Sequence, residues 1–224
     1  MGIIADLIAS YQFLGENFPR FLELLSQHLQ LVIVSEILAI AVAVPMGIVA
    51  ARNERLRGPI LSIGNVAQTI PTLAIIALVF PLLGLGFKPS LVGLFAYAIL
   101  PILTNTITGI EDVEEGTIEA ATGMGMTDNQ ILRKIQLPLA IPVIFAGIRT
   151  SAVINVGTAY LAFFIGGGGL GLWVVSGIRL YAFDQVLAGA IPGALLAIAM
   201  DSIFALIERR LGGEAIQGTT TASA

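Results

Sequence analysis

Few residues in this sequence have side chains suited to covalent or metal chemistry. Cysteine is absent and there is a single histidine, His28. That removes thiolate metal sites and a cysteine nucleophile, and it argues against a histidine-built metal centre or a Ser-His triad. The two lysines, Lys88 and Lys134, lie outside any GxxxxGK[ST] turn, so the chain has no P-loop to cradle a phosphate. It is not expected to be an enzyme or to hydrolyse ATP alone, and no cofactor or metal is expected. What remains is a set of ionisable and polar groups in or beside long apolar runs. Glu36, Arg149 and Asp201 are the charged ones. In hydrocarbon such groups are expensive and usually face the interior of a bundle. Arg149 and Asp201 are expected to reach the cytoplasmic interface or to pair with each other, in structural roles. Thr69, Asn105, Asn155 and Thr158 could line a polar pathway or bond one helix to another. His28 reads as an interfacial packing residue rather than a proton relay.

The elements that must position these groups follow from composition. Of the 224 residues, 56% are apolar and 12% charged, against about 45–50% and about 25% in a soluble domain. The 11 basic and 15 acidic residues are too few to cover a soluble surface, and they are clustered. The chain is read as an all-α integral membrane protein. A net charge of −4 and a pI of 4.9 give no electrostatic case for nucleic acid. Asp6 precedes every basic residue, so a cleaved signal peptide is not expected.

A helical span needs about 20 predominantly apolar residues. Five are expected, at about 29–51, 60–83, 91–110, 138–164 and 185–207. Nothing alternates with the period of barrel strands. Residues 1–28 are assigned to an extracytoplasmic arm whose segment 18–29 reads as an interfacial helix. Residues 29–211 form the membrane domain, and 212–224 read as a disordered cytoplasmic tail. Arg52, Arg55, Arg57, Arg133, Lys134, Arg209 and Arg210 fall on one side, whereas Arg20, Lys88 and Arg179 fall on the other. The positive-inside rule puts the first set in the cytoplasm, with the N-terminus outside and the C-terminus inside. Pro45, Pro71, Pro101 and Pro192 lie inside spans. Each frees a carbonyl that needs a protein or water partner. Such kinks suit a bundle around a pathway, although prolines are commoner in membrane helices in any case.

The longest polar segment is the loop 111–138. Local rules divide it into two short helices. The first contains Ile118-Glu119-Ala120-Ala121 and ends in Gly123 and Gly125. Thr127 and Gln130 have capping-box spacing and start the second, which Pro138 is expected to end. A helix–glycine–helix elbow with small residues is suited to lie in a groove of another protein, and an ordinary solvated connection would look similar.

The pattern Glu119-Ala120-Ala121, Gly125, Ile135, Leu137-Pro138 resembles the EAA loop of ABC importer permeases, EAA-x3-G-x9-I-x-LP, at every specified position. Its place between the third and fourth spans resembles the five-helix type I permease core. The resemblance implies that the loop docks on an ATP-binding ABC subunit. In it Glu119 would brace the interface, Ala120 and Ala121 would seat a short coupling helix, Gly125 would permit the elbow, and Leu137 and Pro138 would close the motif. A narrower resemblance covers roughly residues 18–212. It rests on Gln27-His28-Leu29-Gln30-Leu31-Val32, on Gln68 to Ala74, on Leu100-Pro101-Ile102-Leu103 and on Asn105-Thr106. Gly147-Ile148-Arg149-Thr150-Ser151 and the run Ile165 to Gly171 complete it. Together these are similar to permeases of osmoprotectant importers, which carry glycine betaine, choline, carnitine and related quaternary ammonium compounds. Thr104 and Ile107 depart from the basic and aromatic residues often found there in that subfamily.

The resemblance implies a separate extracytoplasmic substrate-binding protein, a second permease subunit in a homodimer or heterodimer, and surrounding membrane lipid. Trp173, Tyr160 and Tyr181 suit an aromatic cage for a quaternary ammonium, or more simply the membrane interface. The run Gly166–Gly171 is either a flexible outer loop or a close-packing gate. A permease for methionine or another amino acid would share the same loop. A secondary transporter or channel would need an inverted repeat or an embedded charge relay, and neither is evident.

Overall fold

The computed structural model describes the backbone of residues 2–220 and the side chains of residue 2 and residues 4–210. Among the described residues there is no strand. Ten α-helices follow in order: α1 Ile3–Glu16, α2 Phe18–Arg52, α3 Glu54–Thr69, α4 Thr72–Leu83, α5 Phe87–Glu111, α6 Glu115–Gly123, α7 Asp128–Ile131, α8 Leu137–Thr158, α9 Gly171–Leu180 and α10 Phe183–Thr220. A π turn, Leu132–Gln136, joins α7 to α8, and a 3-10 segment, Ala159–Ile165, extends α8.

Four helical runs are long and apolar enough to cross a membrane, and α3 with α4 makes a fifth if the bent pair counts as one span. The core lies where α2, α5 and α8 meet, built from Ala39, Ala43, Ala98, Ile102, Leu103, Ile107, Ala140, Ile144 and Ile148. Small residues let the backbones approach, as is usual where water supplies no driving force between helices. A Cβ on Gly47 would sit 2.6 Å from Thr106 Cβ, and one on Gly147 would sit 2.6 Å from Asn105 Cβ and 2.8 Å from Pro101 O.

Four boundaries differ from expectation. The segment 18–28 is not a separate interfacial element. It is the start of α2, which runs unbroken for 35 residues through Pro45, a length of ~52 Å against ~30 Å of hydrocarbon. Pro19 fits its first turn, where a missing N–H costs nothing. A further helix, α1, precedes it and packs along α10 and, through Phe13, on Trp173. The second span is broken between α3 and α4 by 96°. Pro71 drives its predecessor into the extended region, and Ile70 has ψ 124°. The loop's second helix does not end at Pro138. The π turn lets the chain run on as helix, with Leu137 N–H bonded to Leu132 O, and Pro138 occupies the first turn of α8, where it displaces no donor. Finally, α10 continues to Thr220, so residues 212–220 of the expected tail are helical; residues 221–224 lie outside the described residues.

Candidate functional site

The loop between α5 and α8 is built from two local stop-and-start signals. Helix α6 ends in a Schellman arrangement: Gly125 N–H bonds to Thr122 O at 2.9 Å and Met126 N–H to Ala121 O at 3.1 Å. Gly125 has φ +80°, a left-handed conformation that glycine adopts without a Cβ penalty. Its missing Cβ would meet nothing within 4 Å, so the elbow needs glycine for its angle and not for lack of room. The chain restarts at Thr127, whose N–H donates to Gln130 Oε1 at 2.8 Å, closing the expected capping box.

One bond fastens the elbow to α2, and two more fasten the segments that flank it. Arg52 at the end of α2 donates to Asn129 Oδ1 at 2.6 Å, Arg57 to Glu111 Oε2 at 2.8 Å, and Gln136 Nε2 to Ile110 O at 3.4 Å. Glu119, Ala120 and Gly125 face outward, as does Pro138, while Leu137 is half-buried. Ala121 is 1% exposed and faces the chain's own interior, so it supports the elbow from behind. Met124, 74% exposed, stands at the tip of the turn. Sequence reasoning missed it because it occupies an unspecified position of the motif.

The polar residues inside the bundle do not share one lining. Asn155 is fully buried and bonds to Glu36 Oε2 at 2.8 Å and to Ser35 Oγ at 3.3 Å. Asn105 donates to Pro101 O at 2.8 Å, four residues back on its own helix. Thr158 bonds back to Ile154 O and Thr69 to Val66 O, each at 2.8 Å; Thr69 is exposed at the end of α3. Arg149 and Asp201 pair through two hydrogen bonds of 2.6 and 2.8 Å, and Arg149 also reaches Glu208 at 3.4 Å. That pairing was one of the two options open from sequence.

His28 and Trp173 are both buried within the protein. His28 is fully buried; its Nε2 lies 3.1 Å from Val156 O and its ring meets Tyr160 edge-on at 5.0 Å. Trp173 is 4% exposed between Phe13 and Phe21. Tyr160 points its hydroxyl at Gly189 O, 2.9 Å away, and Tyr181 is 88% exposed at the end of α9. The three aromatics form no cage.

The glycine run is a close-packed loop at the end of the bundle opposite the elbow. Gly166, Gly168 and Gly169 are left-handed, with φ +74°, +76° and +82°. Gly169 N–H donates to Gln27 Oε1 at 3.1 Å, and Ile165 O accepts from Gly86 N–H at 2.8 Å. A Cβ on Gly168 would run into the Gln27 side chain and one on Gly167 into Ser90 Oγ. The run thus packs against the starts of α2 and α5 together.

With this geometry in place, likeness to known proteins becomes informative. Residues 43–213, which hold most of the core and the elbow, match the model of the binding-protein-dependent transport system inner membrane component. The chain belongs to that family. This membrane component is 46% identical over 200 residues to the choline transport system permease protein OpuBB of Bacillus subtilis, covering 89% of this chain and 92% of that one. It is 43% identical over 206 residues to the glycine betaine/carnitine/choline transport system permease protein OpuCB of the same organism, covering 92% and 95%. Among solved structures, the MetNI methionine ABC transporter in an inward-facing conformation superposes with a TM-score of 0.78 at 21% identity, over 85% of this chain and 95% of that one. That last likeness shows the five-helix type I importer fold. The family is one of transport components, not catalytic subunits, and the membrane component crosses the bilayer several times.

Proposed function

We propose that this chain is the transmembrane subunit of an ATP-driven, binding-protein-dependent importer of osmoprotectants, compounds such as glycine betaine, choline and carnitine. The observation that carries the reading is the pair of relatives at 46% and 43% identity over nearly the whole chain, both named for quaternary ammonium substrates. The likeness to a methionine transporter, at 21% identity, reaches the fold only and does not favour an amino acid.

The mechanism assigned to the chain is alternating access. A loaded binding protein docks on the outer face, and two permease subunits enclose the pathway between them. A separate ATPase subunit closes on the cytoplasmic face. The elbow 115–131 is the coupling element: Glu119, Ala120, Met124 and Gly125, together with the exposed Pro138, meet the ATPase, and Ala121 and Leu137 hold the elbow on the bundle. The bond from Arg52 to Asn129 supports that role by tying the elbow to α2, and Arg57–Glu111 and Gln136–Ile110 tie the segments on either side of it to α3 and α5. The basic helix ends are cytoplasmic, which puts the N-terminus outside. The permease binds no ATP itself.

Uptake by the permease, reconstituted in liposomes with its ATPase and binding protein, tests the reading. Radiolabelled choline uptake should depend on ATP and be competed by glycine betaine or carnitine, and methionine should not compete. Uptake indifferent to every quaternary ammonium compound but competed by methionine would replace osmoprotectants with amino acids.

A further inference from the structure

The least explained group in the bundle is Glu36. It sits at mid-length of α2, 4% exposed, facing Ser151 and Asn155 of α8, both fully buried. Its Oε2 lies 3.0 Å from Ser151 Oγ and 2.8 Å from Asn155 Nδ2, while its Oε1 has no partner. Ser151 Oγ also lies 3.1 Å from the carbonyl oxygen of Ala98 on α5.

Counting hydrogens decides what this arrangement is. A serine hydroxyl has one hydrogen, and a carbonyl can only accept. If Ser151 gives its hydrogen to Ala98 O, the short contact to Glu36 has none unless Glu36 supplies it. Asn155 has two amide hydrogens, one for Glu36 Oε2 and one for Ser35 Oγ, 3.3 Å away. Ser35 in turn sends its own hydrogen back to the α2 backbone, at Leu31 O or Val32 O. Both oxygen contacts of Ser151, to Ala98 O and to Glu36 Oε2, hold a hydrogen only when Glu36 carries one.

No positive charge faces the site to hold an anion there. On α2 the nearest titratable neighbour is His28, two turns away and turned to Val156 O. On α8, Arg149 is engaged by Asp201 and Glu208 of α10. Of the ionisable residues of α5, Lys88 and Glu111 stand at its two ends and Tyr97 is turned to Ile70 O, while those of α3, Glu54, Arg55 and Arg57, stand at its start. A buried carboxylate without a counter-charge costs far more than its hydrogen bonds return. A neutral acid leaves only carbonyl oxygens, Glu36 Oε1 and Asn155 Oδ1, without a donor, and a hydrogen ion needs no cavity to occupy.

We propose that Glu36 is a hydrogen-ion-binding site: a neutral carboxylic acid whose hydrogen is donated to Ser151 Oγ, forming a clasp that holds α2 against α5 and α8. The clasp joins the part of α2 that precedes the family match, which starts at residue 43, to the shared core. It stands whether or not the imported solute is an osmoprotectant.

Infrared absorption of the purified, membrane-reconstituted chain at neutral pH tests this directly. A carbonyl stretch of a protonated carboxyl should be present, shift on labelling with 13C-glutamate, and vanish in Glu36→Gln. In Ser151→Ala the same band should move to higher frequency, because its hydrogen bond is lost; this variant carries the assignment if Glu36→Gln does not accumulate. With its Nε2 at the Oε2 position, glutamine has one N–H for Ser151 Oγ and, once the Asn155 amide turns over, one for the otherwise unpartnered Asn155 Oδ1, so Glu36→Gln should melt close to the unchanged chain while Glu36→Ala melts lower. A labelled wild-type spectrum with no such band overturns the proposal. So does a band that survives Glu36→Gln, or Glu36→Gln melting as low as Glu36→Ala.

Discussion

Gly147 and Arg149 stand two residues apart on α8 and meet opposite demands. Gly147 lets α8 approach α5, and the atoms a side chain would strike include the backbone oxygen Pro101 O at 2.8 Å. A backbone atom cannot swing aside, so Gly147→Val should overpack the contact and destabilise the chain by about 1–3 kcal/mol. Thermal unfolding in detergent would show it as a lower melting temperature; an unchanged value would mean that the helices can separate there freely. Arg149 instead holds α8 to α10 through Asp201. Both side chains are partly exposed, which weakens any isolated pair, but the bidentate geometry and the neighbouring Glu208 favour it. Arg149→Asp should lower the melting temperature, and adding Asp201→Arg should restore part of the loss. If the double variant is no better than the single, the pair does not hold these helices. From sequence, Arg149 and Asp201 could be seen as costly residues in need of partners. The partner chosen depended on the register of two helices 52 residues apart, which no local rule contains.

At the scale of elements, the elbow was legible because its signals are short-range: a left-handed glycine closing one helix and a capping box opening the next. What followed was not. Pro138 ordinarily ends a helix, and the π turn that carries the chain past it depends on how α7 and α8 pack on α5. Helix α1 was missed because its apolar residues are interrupted by Asp6 and Gln12 and its burial comes from α10. The break between α3 and α4 is held by tertiary bonds. Gln68 Nε2 donates to Tyr97 O at 3.1 Å, the carbonyl that Pro101 leaves without a helix partner, and Tyr97 Oη donates to Ile70 O at 2.9 Å. Tyr97→Phe should strand the Ile70 carbonyl and cost about 1–3 kcal/mol, read as a lower melting temperature with insertion unaffected. At the elbow the angle at Gly125 separates two roles. Gly125→Asn tolerates the left-handed conformation and should keep most coupled uptake, whereas Gly125→Val strains it and should reduce ATPase co-purification and uptake together. Equal loss in both variants would mean that the ATPase requires a surface free of any side chain there.

On the scale of the whole molecule, the hydrogen bonds sort the helix ends into two groups. Arg52, Arg57, Glu111 and Asn129 are tied together at one end, while Gln27, Gly86, Ile165 and Gly169 are tied at the other. The first group lies with the basic loops, and the proposed direction, with this end inside, rests on the rule that basic loops stay in the cytoplasm. That direction decides whether the elbow can meet an ATPase at all. The sequence has no cysteine, so a single introduced thiol reports without background. Lys88→Cys and Tyr181→Cys, both exposed, should react in intact cells with a membrane-impermeant maleimide. Arg55→Cys and Met124→Cys, exposed at the opposite end, should react only after the membrane is opened. Reaction of Met124→Cys in intact cells would place the elbow outside, where no ATP-hydrolysing partner can reach it, and the coupling mechanism would fall with it.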